Sequence, residues 1–281
     1  AIAVSAEASV RSFEDIEWVV DSSRYDASLS WEYGQTMEFQ FYQMAGRELV
    51  LRVSAPYVLR HAESARLYSV NSPLQKENRK ILLDKKNHLM SGGSPSSAEL
   101  LFDQDVNLLL DSMGKGGWGV LELTAEAGVK HSIEMPAIDF REKLEQFNVK
   151  RNKLPPLNWD LARKVDVFFV TSESRLDEQQ QRKLNDLVEF IKFESEVVGI
   201  TVDGHTDITG DRLKNLTLSE ARAAAVRDFL TAAGIDEKLL SAVRFHGQRY
   251  PLPGVGHGLN RRVEIRLTRK SDVQTDSMEG T

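Results

Sequence analysis

The feature that most constrains this chain is a change of rhythm at a double proline. Up to about residue 150, apolar residues recur at every second position. Beyond the charged stretch at residues 150–157, which holds Pro155-Pro156, short apolar runs alternate with stretches of helical period. Period two demands half-buried strands and period 3.6 demands amphipathic helices, so the sequence specifies two different architectures. A Pro-Pro pair fixes φ and donates no hydrogen bond, which suits neither. The reading is an α+β protein with two domains. Residues 1–150 form a β-rich partner-docking domain with an embedded helix, and residues 151–160 a proline-containing linker. Residues 161–270 form a second domain with a mixed sheet, and 271–281 a flexible tail. At 281 residues the chain can bury both cores.

In the first half, alternation is clearest at residues 25–31, 37–42 and 48–53. The last two flank Met44-Ala45-Gly46-Arg47, a natural hairpin loop. Residues 65–70, 119–124 and 129–135 read as further strands, with Ala127-Gly128 closing the last pair. Residues 96–113 read as one helix with Leu100, Leu101, Val106, Leu109 and Leu110 on its apolar side and Gly114 as the stop. The polar run at 75–86 and Ser91-Gly92-Gly93-Ser94-Pro95 read as exposed loops. Some six short strands are too few for a membrane barrel, which needs at least about eight spans with an apolar outer band.

In the second half, residues 165–170 and 197–203 read as strands, each followed by a helix, at 177–193 and 219–233. Strands at 243–245 and 263–267 complete a β-α-β-α-β-β order, with Gly234 ending the second helix. A net charge of −6 argues against sequence-independent nucleic-acid binding. No apolar run approaches the roughly 18 residues of a spanning helix. Cysteine is absent, which removes disulfides, thiol nucleophiles, cysteine-bound metals and a lipid-bearing cysteine from consideration. Residues 1–8 have the small-residue alternation found around signal-peptidase cleavage sites, and read either as a mature start or as a tail.

The densest chemistry lies in residues 204–226, GHTDITGDRLKNLTLSEARAAAV, and in Asn260-Arg261-Arg262-Val263. Asp207 follows a strand, in a turn opened by Gly204. Arg222 lies fifteen residues on, in the first turns of a helix with Ser219 as N-cap. So placed, Arg222 and the helix N-terminus would take a ligand carboxylate and Asp207 its ammonium. Spacing alone leaves a second reading open, a surface ion pair worth about 0–1 kcal/mol. Thr206 and Asn215 hold the Asp207 loop or only stabilise turns. Arg261 and Arg262 are surface charge or supply ligand contacts.

Other chemistry fits less well. His205, His246 and His257 with Asp203, Asp207 or Asp211 lack zinc-triad spacing, so no metal or cofactor is expected. Ser219 sits on no strained elbow, and no acid pair has the apolar setting a glycosidase needs, so no catalytic residue is assigned. Trp18, Trp31, Trp118 and Trp159 read as core or interface residues.

Gly204, His205, Thr206, Asp207, Gly210, Asn215, Leu218, Ser219, Arg222, Ala223, Val226 and Asn260-Arg261-Arg262-Val263 resemble, in order, the signature of OmpA-like peptidoglycan-binding domains. That resemblance implies a non-enzymatic periplasmic wall binder that grips the diaminopimelate of peptidoglycan stems. Asp207, Arg222, Thr206, Asn215, Leu218, Asn260 and Arg262 are then its site residues. The soluble β-rich first half is similar in layout to the MotY-type proteins of flagellar motor rings. That implies a multi-copy assembly on the flagellar basal body, with stator proteins as partners. Departures are the missing cysteine pair, Gly247-Gln248 where Gly-Glu is usual, and a short loop at 251–260. An adaptor for another envelope machine and a wall-modifying enzyme are the alternatives.

Overall fold

The computed structural model describes residues 16–34, 36–55, 59, 62–71, 80–87, 99–125 and 128–273. The readings for residues 1–8, 75–79, 91–98 and 274–281 lie outside them. The chain divides between Leu154 and Pro155 into two compact units.

The first unit holds nine described strands: β1 (Val19–Ser22), β2 (Asp26–Tyr33), β3 (Met37–Met44), β4 (Val50–Ser54), β5 (Ala62–Val70), β6 (Lys80–Asn87), β7 (Glu99–Phe102), β8 (Trp118–Ala125) and β9 (Lys130–Met135). They form two antiparallel sheets, ordered β1-β2-β3-β4-β7 and β6-β5-β8-β9. Two helices, α1 (Val106–Gly114) and α2 (Phe140–Arg151), complete the unit. Alternation does the work expected of it. Met37, Phe39 and Phe41 are buried while Glu38, Gln40 and Tyr42 between them are only half-buried. Trp18, Trp31 and Phe140 join one core shared by both sheets and both helices. The rings of Trp18 and Phe140 meet edge-on at 4.8 Å, and the Trp18 indole N–H donates to the Pro136 carbonyl at 3.0 Å.

Two readings of this half are corrected. Residues 99–113 are not one helix, because Glu99–Phe102 pairs with β4 and α1 begins only after Asp105, whose φ is 53°. Leu100 and Phe102 are buried while Leu101 is exposed, a period-two pattern that the Leu100-Leu101 doublet disguised. The Lys-rich run at 80–86 is not a loop but the edge strand β6, paired with β5. Lysines are common on such edges because their charge discourages pairing with another chain. The helical α2 also reaches Arg151, and a short helix α3 (Trp159–Ala162) follows the prolines.

The second unit runs β10 (Lys164–Phe168), α4 (Glu178–Phe193), β11 (Val197–Gly204), α5 (Arg212–Ala232), β12 (Leu240–Phe245), α6 (His257–Asn260) and β13 (Arg262–Arg269). Its sheet order is β10-β13-β11-β12, with β11 and β12 parallel and the other pairs antiparallel. This is the expected mixed β-α-β-α-β-β architecture. A reciprocal Asp177–Gln180 capping box starts α4, whose Leu184, Leu187, Val188 and Ile191 face inward. Gly234, with φ 90°, ends the α5 segment in the left-handed conformation that suits glycine.

Ser219 is not a helix start. The α5 helix begins at Arg212, capped by the Asp211 carboxylate, which accepts from the N–H groups of Leu213 and Lys214. In its first two turns the buried residue is the polar Asn215, while Leu213 is exposed and Leu216 and Leu218 are only half-buried, so the leucines mark no core-facing stripe there. Gly204 likewise opens no turn. It is the last residue of β11, and a Cβ there would lie 2.2 Å from the Ser219 carbonyl oxygen. Only glycine lets α5 approach the strand this closely.

Candidate ligand-binding site

The site gathers where β11 ends and the loops before α5 and β13 meet. Asp207 is 7% exposed, with one carboxylate oxygen accepting from the Thr209 N–H at 3.1 Å. The other accepts from the Arg261 guanidinium at 3.0 Å. Arg261 also donates to the Phe169 carbonyl, and its side chain stays 21% exposed. Asp207 and Arg261 therefore hold a carboxylate and a guanidinium side by side, the first buried and the second partly open to solvent.

Arg222 plays a different part from the one expected. It lies in the interior of α5, well beyond the helix N-terminus, and is fully buried. Its guanidinium donates to three backbone carbonyls: Glu173 at 2.8 Å, His205 at 3.2 Å and Val170 at 3.1 Å. It thus ties the loop after β10 to the end of β11, with its charge 5.2 Å from the centre of the Phe169 ring. Bidentate capture of a ligand by an exposed Arg222 near a helix start is corrected by these bonds. Burial, and then the neighbouring Arg261, lower its pKa to about 10, partly offset by Asp207. It remains a cation at neutral pH. Two guanidiniums and one carboxylate make this cluster net positive, and a ligand carboxylate would neutralise the excess.

The remaining predicted residues build the frame. Asn215 donates its amide to the carbonyls of Thr209 and Asp207 and to the Gln248 side chain. The Thr206 N–H donates to the Gly247 carbonyl, while its buried hydroxyl has no partner. Asn260 is buried and accepts from the Leu252 N–H at 2.7 Å, which pins the loop before α6. Leu218 is half-buried on α5. Arg262 is buried but lines a separate groove with His205.

Sequence reasoning left the roles of three contributors unassigned. Ser219 donates to the Leu216 carbonyl and accepts from the Gly247 N–H, which locks the turn after β12 to α5. Arg261, not Arg262, is the arginine on Asp207, and no pattern within Asn-Arg-Arg separates the two. The third is a cluster around Asp203, which Arg244 grips through both oxygens and His246 through one at 2.7 Å. Burial works against this carboxylate, yet the bonds from Arg244 and His246 outweigh it and hold its pKa below the ordinary value. His205 is driven the other way. Burial, then the charges of Arg262 and His246, lower its pKa to about 4 and keep the ring neutral. Among the described residues no cluster of His, Asp and Glu is arranged to hold a metal, and no helix is long and apolar enough to cross a membrane.

Helices packed on a mixed sheet, with a loop-borne Asp-Arg pair beyond its strand ends, define a class of domain that the comparisons with known proteins identify. Residues 168–259 match the OmpA family, so the C-terminal half carries an OmpA-family domain. Over 124 residues the chain is 33% identical to outer membrane porin F of Pseudomonas aeruginosa, covering 42% of this chain and 35% of that protein. It is 30% identical to the peptidoglycan-associated lipoprotein of Brucella melitensis over 83 residues, 30% of this chain and 49% of the relative. The solved peptidoglycan-associated lipoprotein of Burkholderia pseudomallei is 26% identical, with a TM-score of 0.34, covering 37% of this chain and 89% of that one. The chain thus spans from about a third to half the length of these curated relatives.

Proposed function

We propose that the C-terminal unit is a non-enzymatic peptidoglycan anchor working in the periplasm. The observation that carries this reading is the Asp207–Arg261 pair with Arg222 beneath it, inside an OmpA-family domain. A ligand with an ammonium and a carboxylate on one carbon fits such a pair better than a plain acid or amine does. The free end of diaminopimelate in an uncrosslinked stem peptide has that chemistry. Asp207 takes the ammonium and Arg261 the carboxylate, while Arg222 supplies positive field and holds the loops, framed by Thr206, Asn215, Leu218 and Asn260. A relative described as peptidoglycan-associated supports the same ligand. Ser219, the hydroxyl in the signature, is fully buried and bonded on both sides, which suits no nucleophile.

The N-terminal unit then docks the anchor onto an envelope machine. Its β-rich layout favours a flagellar motor ring of the MotY type, with basal-body and stator proteins as partners and several copies per ring. Each pocket needs only micromolar affinity, roughly −8 kcal/mol, because multiple copies raise effective affinity without new contacts. Co-sedimentation with purified sacculi tests the wall claim: wild type pellets and Asp207→Ala stays in solution. Wild type left in the supernatant would refute the anchor. Capture of basal-body proteins by the N-terminal unit tests the motor claim, and their absence redirects it to another envelope assembly.

A further inference from the structure

The C-terminal sheet carries its apolar residues on the face toward the helices. Alternation along β13 places Val263, Ile265 and Leu267 there and turns Arg262, Glu264 and Arg266 the other way. The outward face forms an open groove of about 540 Å³, bordered by Arg262, His205, His246, Tyr250, Pro251 and Leu252. It includes neither Asp207 nor Arg261.

Every lysine and arginine around this groove has a carboxylate partner, with one exception. Lys164 pairs with Glu264 at 3.0 Å, and Arg266 bonds the same carboxylate. Arg244 holds Asp203 at 2.7 and 2.8 Å. Arg262 has no such partner: it is 4% exposed, and its Nε and Nη1 are buried without a hydrogen bond. The Nδ1 of nearby His205 is in the same condition, and that ring, held neutral, offers no counter-charge. A guanidinium withdrawn from water without an anion is among the most costly groups a protein can hold. The groove also has a flat side. The His205 and His246 rings stack 5.0 Å apart, and Tyr250 meets His246 edge-on at 5.1 Å with 61% of its surface exposed.

We propose that this groove is a second ligand subsite, taking a carboxylate at Arg262 with the body that carries it laid against His246 and Tyr250. The free lactyl acid and ring of a muramyl sugar stripped of its stem peptide have this chemistry, whereas a sugar that still carries its stem holds that carboxyl as an uncharged amide. The choice of a wall sugar rests on the peptidoglycan reading, whereas the need for an anion follows from Arg262 itself.

The test is calorimetric titration of the full chain with N-acetylmuramic acid, its carboxamide and inorganic phosphate. Wild type binds the acid at least about tenfold more tightly than the carboxamide, as a charge-assisted contact requires. Arg262→Gln abolishes that preference and Asp207→Asn keeps it. Without ligand, Arg262→Met raises Tm by about 2–4 °C, because an unpaired buried charge is replaced by an apolar chain. Equal binding of acid and carboxamide by wild type overturns the subsite. So does a preference that survives Arg262→Gln, or a lower Tm for Arg262→Met, which would mean the guanidinium is already satisfied within the fold. Phosphate binding more tightly than the acid overturns the sugar assignment. Loss of sacculus binding by wild type with the acid preference intact would instead sink the anchor and spare the subsite.

Discussion

The two halves of this molecule bury different things. Among the described residues the first unit buries four polar or charged side chains, Ser28, Ser69, Asp84 and Glu122, around a core of Trp, Phe and Leu. The second buries twelve, most of them between Asp203 and Glu264, and Asp207, Asn215, Ser219, Arg222 and Asn260 among them bond to loop residues. A buried apolar group contributes roughly 1.5–3 kcal/mol by leaving water and needs no particular partner. A buried polar group must find its partner or cost stability. The first unit is thus built for packing, and the second spends stability to hold charged groups in fixed positions. Fixed charge in a partly dry site is what selective recognition requires.

The sharpest way to break this comparison is a matched pair of core deletions. Arg222→Ala leaves three backbone carbonyls without a donor and is expected to destabilise the second unit by about 3–5 kcal/mol. Arg222→Lys does not restore it, since an ammonium cannot span three divergent acceptors. Trp18→Ala is expected to cost the first unit a similar 3–5 kcal/mol while sacculus retention stays at the wild-type level. Urea unfolding followed beside co-sedimentation reads both, and loss of retention in Trp18→Ala would deny the units separate roles.

A smaller effect sharpens the electrostatic side. The native pKa of His205, about 4, lies below its ordinary 6.5, so the unfolded chain takes up the proton first as pH falls. His205 thus adds stability above pH 6.5 that is lost between pH 6.5 and 4, on the order of 2–3 kcal/mol. Urea midpoints measured across that window should fall in wild type and flatten in His205→Gln. Parallel curves would mean that His205 takes up its proton at the same pH in the folded and the unfolded chain. Smaller again is Gly204→Ala, whose Cβ would meet the Ser219 carbonyl and push α5 off β11 at a cost of about 1–3 kcal/mol. An unchanged Tm there would refute the close approach.

Regular periodicity made most of the architecture legible. The hairpin of β3 and β4, the α4 face and the β-α-β-α-β-β order all follow from residues recurring at two or 3.6 positions. Failures came where local chemistry overrode pattern. The edge strand β6 carries lysines that read as loop, and β7 hides its alternation in a leucine doublet. The α5 helix starts on a polar turn, so its cap was assigned to Ser219 instead of Asp211. The signature located Asp207, Asn215 and Arg222 without fixing their partners, because hydrogen bonds to backbone carbonyls leave no mark in sequence. Arg222 joins Val170, Glu173 and His205, groups separated along the chain and brought together only by the fold.

The central claim is that Asp207 and Arg261 hold a zwitterion while Arg222 holds the site. Titration of a diaminopimelate-containing muropeptide into wild type, Asp207→Asn and Arg261→Gln tests it most directly. The account predicts micromolar binding by wild type and a loss of at least about 2 kcal/mol in each variant, with Tm changed by only a few degrees. Full affinity in Arg261→Gln would contradict it and return the ligand carboxylate to Arg222.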